Sequence, residues 1–277
     1  MTGGAFDLGP ALLFCPADRP DRYAKAAERA DAVILDLEDA VAPRDKPTAR
    51  GALIDAALDV PSLDPSRVIV RVNALGTPDF DADMATLSQT DYRLIMLPKA
   101  ESPKKVLRID TRFEVIALCE TARGIVAAEK LAAASNVVGL MWGAEDLVAS
   151  LGGTSSRKPN GRYREVARAA RSRVLLAAGA AGVAAIDAVH VDIADDRGLR
   201  AEAEDAAASG FSASACIHPG QVATIRAAYR PADDTLAWAR GVLNAAQGER
   251  GVFRYEGRMI DEPVLRHARS VLARSGG

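Results

Sequence analysis

The chain has 277 residues, 49% hydrophobic and 26% charged, which is enough to bury one large core or two ordinary ones and too apolar for a disordered chain. With 35 basic and 37 acidic residues the net charge is −2, so no chain-wide field directs the protein to nucleic acid or to an anionic membrane, and any anion-binding patch must be local. No basic segment precedes the first apolar residues and no run reaches the ~20 apolar residues of a spanning helix, so the sequence predicts a soluble cytoplasmic protein.

The first predicted strand, ALLFCP (11–16), leads into a loop and helix carrying Arg19, Arg22 and Lys25. Cations gathered in such a loop suit phosphate groups, while a solvated helix face explains Arg22 and Lys25 equally well. The second strand, AVILDLED (32–39), is apolar until it delivers Asp36, Glu38 and Asp39. Carboxylates so close repel one another; unless all face solvent, a cation or a metal ion belongs beside them. The third, RVIVRVN (67–73), holds Arg71 inside a buried run, where its charge needs an anionic partner. The neighbouring acids offer one, either as a plain salt bridge or as an anchor that aims the guanidinium at a substrate carboxylate or a developing enolate.

The fourth strand, RLIMLPKA (93–100), ends at Lys99, and the fifth, EVIALCET (114–121), at Glu120. The sixth, VVGLMWGAEDL (137–147), ends at Glu145 and Asp146. Glu120 and Asp146 converge from adjacent strands with no clustered Cys or His, a donor set for a hard cation such as Mg²⁺ rather than Zn²⁺; capping or loop-solvating acids are the alternative. The run LGGTSSRKPNGRY (151–163) reads as a flexible loop able to close over a ligand, and it has neither phosphate-loop nor dinucleotide spacing. AAIDAVHVDI (184–193) and SASACIHP (212–219) complete the strands, the latter with His218 at its rim. Cys15, Cys119 and Cys216 all lie in apolar runs without metal-ligand spacing and are expected as buried thiols.

Eight strand–helix units in about 230 residues match the count and length of an α/β fold of the (β/α)₈ (TIM) barrel type; a doubly wound open sheet is the alternative. The expected division is a barrel over 1–232 and a C-terminal helical extension over 233–277, two helices joined by a glycine-rich connector. Asp261, just before the last helix, is locally an N-cap.

Taken together, LFCPADRPDRYAKA, VILDLEDAV, VRVN, MLPKAES, ALCETARG, MWGAEDL, CIHPGQ and GRMIDEP resemble, in order, the citrate lyase β-subunit-like family within the wider group of HpcH/HpaI aldolases and malyl-CoA and citramalyl-CoA lyases. The resemblance implies a trimeric or hexameric barrel with Mg²⁺ held at Glu120 and Asp146 and with Arg71 on the substrate. It places coenzyme A against Phe14, Arg19, Lys25 and Pro219, and makes Asp261 an acid–base residue that reaches a neighbouring subunit's barrel. From the residues themselves, Asp36, Glu38 and Asp39 are expected to anchor Arg71 and to help surround the metal. The implied reaction is Mg²⁺-dependent cleavage or condensation of a 3-hydroxy-3-carboxyacyl thioester, giving a 2-oxo acid and an acyl thioester on CoA or on an acyl-carrier protein. The rival readings are a metal-dependent aldolase of free 2-oxo acids, which needs no cationic first loop, and a non-catalytic barrel that binds acyl-CoA or a protein.

Overall fold

The eight apolar runs become eight parallel strands of one closed barrel. They are β1 (Ala11–Pro16), β2 (Ala32–Asp36), β3 (Val68–Arg71), β4 (Leu94–Leu97), β5 (Glu114–Cys119), β6 (Val137–Trp142), β7 (Ala184–Asp187) and β8 (Ala213–Cys216), each beside the next and β8 beside β1. The barrel, not the open sheet, is therefore the fold. The computed structural model describes residues 6–59, 63–249 and 251–274; residues 1–5, which entered the reading of the N-terminus, and Arg250 of the connector lie outside these.

The helices follow in order: α1 (Tyr23–Arg29), α2 (Lys46–Asp59), α3 (Pro78–Leu87), α4 (Pro103–Val106), α5 (Ala122–Ala132), α6 (Ala144–Ser150), α7 (Glu165–Ala181), α8 (Asp196–Ser209), α9 (Val222–Tyr229), α10 (Asp233–Ala246) and α11 (Glu262–Ala273). The chain divides into two compact units, 1–225 and 226–277. Among the described residues no helix is long and apolar enough to cross a membrane. The three cysteines are buried, and desolvation pushes the Cys15 thiol up to about 11 and Cys119 to about 12.

In the barrel unit, strand alternation decides what reaches the mouth. Leu12, Ile34, Ile69, Ile116 and Leu118 belong to one buried cluster. Side chains two residues apart share a face, so Phe14, Asp36, Arg71 and Glu120 are the next positions on the faces that fill the barrel. The layer that would continue the apolar core is a ring of charge and one aromatic ring.

The second unit is more than two helices and a loop. Its connector folds into an antiparallel hairpin of β9 (Phe253–Tyr255) and β10 (Arg258–Ile260). Glu256 and Gly257 both have positive φ, 46° and 79°, the requirement of a tight two-residue hairpin turn. Ala239, Val242, Ile260, Ala268 and Val271 form its core. Gly241 lets the Tyr255 hydroxyl close on α10: a Cβ there would stand 2.1 Å from that oxygen. Asp261 is the N-cap of α11, its Oδ1 accepting the Val264 N–H at 3.3 Å.

Candidate active site

Asp36 and Arg71 are register partners across β2 and β3, which puts them side by side at the barrel mouth. Arg71 donates from Nε to Asp36 Oδ1 at 2.7 Å and from Nη2 to Oδ2 at 2.6 Å, a bidentate fork. The backbone N–H groups of Glu38 and Ala40 also donate to Asp36, at 2.9 and 3.3 Å. Arg71 Nη1 lies 3.0 Å from Glu38 Oε2, and Glu38 Oε1 accepts from Lys99 Nζ. Lys99 Nζ also stands 3.8 Å from the exposed Asp39. Burial works against the Arg71 charge, yet Asp36 and Glu38 outweigh it and hold the guanidinium firmly protonated. For Glu38 burial wins, and its carboxyl is raised in spite of Arg71 and Lys99. The guanidinium sits over the Phe14 ring, 5.0 Å from its centroid.

This cluster is braced from behind. The Asn73 N–H and Nδ2 both donate to Asp83 Oδ2 at 2.7 Å, and Asp83 Oδ1 accepts from Arg50 Nε at 2.7 Å. Lys46 Nζ donates to Asn73 Oδ1. Asp83, Arg50 and Lys46 escaped the sequence reading; the available signal was an acid on a helix position that is fully buried, since α3 carries Asp83 inward.

Glu120 stands between the end of β5 and Thr121, which caps α5 by accepting the Gly124 N–H at 3.0 Å. It is 2% exposed, and its Oε1 accepts the Lys99 N–H at 2.9 Å. Lys99 takes φ +50°, a left-handed conformation costly for a side chain with a Cβ, and in it presents that N–H to Glu120. Burial first, then the neighbouring Asp146 and Glu38, push Glu120 up to about 8. Asp146 lies in the first turn of α6, whose N-cap is Gly143. A Cβ at Gly143 would come 2.9 Å from the Glu120 Cβ and 3.2 Å from its Oε2, so the residue beside this carboxylate has to be glycine.

The donor chemistry of Glu120 and Asp146 fits a divalent ion. Among the described residues no three His, Cys, Asp or Glu gather as a metal cage, which argues against a closed Zn²⁺ centre. Mg²⁺ takes only one or two carboxylates and fills its remaining positions with water and substrate oxygens. A buried acid whose proton affinity is raised by burial and by a neighbouring carboxylate is what such an ion relieves.

A cavity of about 410 Å³ opens over these groups. Asp36, Asp39, Arg71, Glu120, Glu145 and Asp146 form its polar side; Met141, Val189 and Ile217 form an apolar wall that the sequence reading had not assigned to the site. Two larger clefts, about 600 and 540 Å³, lie on the second unit and on the outer face of α5 and α7, and neither contains these acids.

Arg19, Lys25 and Pro219 do not line the cavity. Arg19 is exposed and paired with Asp21 at 3.1 Å, and Lys25 is exposed on α1. Pro219 opens a 3₁₀ turn capped by His218, whose Nδ1 accepts the Gly220 N–H at 3.1 Å. Asp261 belongs to the second unit as the helix cap described above.

The loop after α6 is pinned, not free. Arg157 forks onto Glu202 of α8, with Nη2 3.1 Å from Oε2, and lies 3.9 Å over the Tyr163 ring. Glu202 also meets Nδ1 of the buried His190 at 2.8 Å. Tyr163 stands edge-on to Trp142, at 5.2 Å between centroids. Trp142 Nε1 donates to Asp187 at 2.6 Å, and Arg171 forks onto the same carboxylate.

The sequence profile of the family described as HpcH/HpaI aldolase/citrate lyase matches residues 11–219. A citrate lyase subunit beta-like protein of Mycobacterium tuberculosis is 57% identical over 268 residues, covering 97% of this chain and 96% of the relative. The mitochondrial citramalyl-CoA lyase of Homo sapiens is 30% identical over 291 residues, 95% of this chain and 84% of that protein. The crystal structure of Mycobacterium tuberculosis CitE in complex with magnesium, acetoacetate and coenzyme A superposes with a TM-score of 0.90 at 56% identity, over 97% of this chain and 98% of that one.

Proposed function

The chain belongs to the HpcH/HpaI aldolase/citrate lyase family, and from that premise we propose that it is a Mg²⁺-dependent carbon–carbon lyase acting on a 3-hydroxy-3-carboxyacyl thioester, of the citramalyl-, malyl- or citryl-CoA kind. The products are a 2-oxo acid and an acyl thioester; the reverse condensation uses the same groups. The observation that carries this reading is the pair of acids Glu120 and Asp146, close enough that Asp146 raises the Glu120 carboxyl, in one cavity with a guanidinium anchored by Asp36.

Glu120 and Asp146 would hold Mg²⁺, which when bound supplies Lewis-acid stabilisation of substrate oxygens. Arg71, fixed by Asp36 and Glu38, turns its remaining N–H donors to the cavity, where they stabilise the enolate oxygen of the departing acyl thioester. In cleavage the substrate hydroxyl gives its proton to solvent water, the bond between the hydroxyl carbon and the carbon next to the thioester breaks as the hydroxyl carbon becomes the keto carbon of the 2-oxo acid, and the second carbon keeps the electron pair until it is protonated. Asp261 of a neighbouring subunit is the proposed proton donor, and in condensation the base that deprotonates the acyl methyl group. The apolar wall of Met141, Val189 and Ile217 offers the acyl part of the substrate a non-polar surface.

In this reading the chain works as a homotrimer or hexamer in the cytoplasm, with its 233–277 extension supplying Asp261. The thioester is carried on CoA, and an acyl-carrier protein is the alternative carrier. Exposed Arg19 and Lys25 on the rim, with Phe14 and Pro219, are the proposed contacts to the CoA moiety. The test is incubation with citramalyl-CoA and Mg²⁺, following 2-oxo acid release. Thioester cleavage that stops on adding a chelator supports the reading. Cleavage of free 2-oxo acid aldols with no action on the thioester would overturn it.

A further inference from the structure

Among the described residues nothing donates to the Asp146 carboxylate, so its position depends on the first turn of α6. That helix is seven residues long, and its glycine N-cap provides no side-chain cap. The turn is held through the adjacent residue instead: Glu145 Oε1 accepts from Ser156 Oγ at 2.7 Å. Ser156 is 2% exposed, so the donor end of the bond is sheltered from competing water. The serine is itself fixed, its carbonyl accepting the Arg164 N–H at 2.8 Å while the next residue, Arg157, is locked to Glu202 and stacked on Tyr163.

We propose that Ser156 is a positioning residue for the metal site: through Glu145 it fixes the first turn of α6 so that Asp146 meets Glu120, and the Arg157–Glu202–His190 clamp holds Ser156 in place. The inference rests on Glu120 and Asp146 being the ligands. Its physical basis is that groups which orient a ligand set its angle and so its affinity, with losses of about 10–100-fold when direct partners of a ligand are removed; Ser156 acts one residue further out, through the backbone turn that Glu145 and Asp146 share. A polar residue that merely fills a loop has no such consequence. Ser156 is the side chain that donates to the exposed Glu145 beside the site, and among the described residues Glu145 has no salt bridge.

The experiment is calorimetric titration of the full-length protein with Mg²⁺, alongside thermal melts without metal. Ser156→Ala should weaken Mg²⁺ binding about tenfold with an unchanged melting temperature. In a Glu145→Gln background, where the amide oxygen still accepts from Ser156, Ser156→Ala should cost the same factor; in a Glu145→Ala background it should cost nothing. Glu120→Ala and Asp146→Ala should abolish binding. If those two variants lose Mg²⁺ and Ser156→Ala binds it normally, the positioning role is wrong. An equal loss in the Glu145→Ala background, or a melting temperature that falls in step with affinity, likewise overturns it in favour of a structural serine. If Glu120→Ala and Asp146→Ala bind Mg²⁺ as the wild type does, the ligand assignment fails and this inference with it.

Discussion

The two sides of the barrel mouth treat their acids in opposite ways. Around β2 to β4 each acid faces a cation: Asp36 takes the Arg71 fork, Glu38 lies between Arg71 and Lys99, and Asp39 stands 3.8 Å from Lys99. Around β5 and β6 the charges are left open. Glu120 receives one backbone N–H, and its neighbour Asp146 makes it harder to ionise. Burying an ionised carboxylate without a partner is costly, so a fold tolerates it where a ligand will complete the site. The first side is a support built of ion pairs and the second has no salt bridge among the described residues, although both consist of aspartate and glutamate at strand ends.

The sharpest break of this comparison is to delete one acid from each side. Glu120→Ala should lower thioester cleavage on the order of 10³-fold while the metal-free melting temperature stays level or rises, because a buried like-charge contact is removed. Asp36→Ala should destabilise the protein by roughly 3–5 kcal/mol, because it leaves Arg71 buried without its fork. Chemical denaturation of both variants checks the pair. A stability loss in Glu120→Ala as large as that in Asp36→Ala would erase the distinction between the two sides.

A second prediction sharpens the role of the anchored guanidinium. Arg71→Lys keeps the charge but cannot span both Asp36 oxygens and still present donors to the cavity. Turnover should fall about 100-fold, with a smaller stability loss than in Asp36→Ala. A kcat close to wild type in Arg71→Lys would reduce Arg71 to a diffuse positive charge.

Much of this contrast can be read along the chain, and the unread part has a common cause. Strand runs without polar alternation already spoke for a sheet covered on both faces, and Glu120 and Asp146 stood out because each follows such a run directly. The Asp36–Arg71 pair was legible as a need for a counter-ion; its fork required the strand register. Phe14 also stands beneath Arg71, a neighbour two strands away in the barrel, a contact that no local pattern could show. The loop over 151–163 read as flexible from its Gly and Ser content, but Arg157 pins it to Glu202, 45 residues further on. Local composition carries propensity, and a long-range ion pair can overrule it. The same holds for the connector of the second unit, where Glu256 at positive φ is not a residue that announces a hairpin turn.

The smallest effect concerns how the open side is held. Desolvation alone would raise Glu202, but hydrogen bonds from His190 and Arg157 outweigh it and hold the carboxyl below its ordinary value of 4.5. A carboxyl depressed in the folded state adds stability that is fully present above its unfolded value and is lost as pH falls through the folded one. Wild type should therefore exceed Glu202→Gln in stability by roughly 1–3 kcal/mol near neutral pH, since the amide keeps the shape but gives up the charge-assisted bonds. That gap should begin to close once the pH drops below about 4.5, where the unfolded carboxyl takes up its proton first. Because the clamp holds Arg157, the neighbour of Ser156, and makes no bond to Asp36 or Arg71, Glu202→Gln should also weaken Mg²⁺ binding severalfold while leaving the cost of Asp36→Ala unchanged. Denaturant titrations of the single and double variants between pH 7 and pH 3 decide the point. A stability gap that widens on acidification would mean that Glu202 is not the group through which the loop is held.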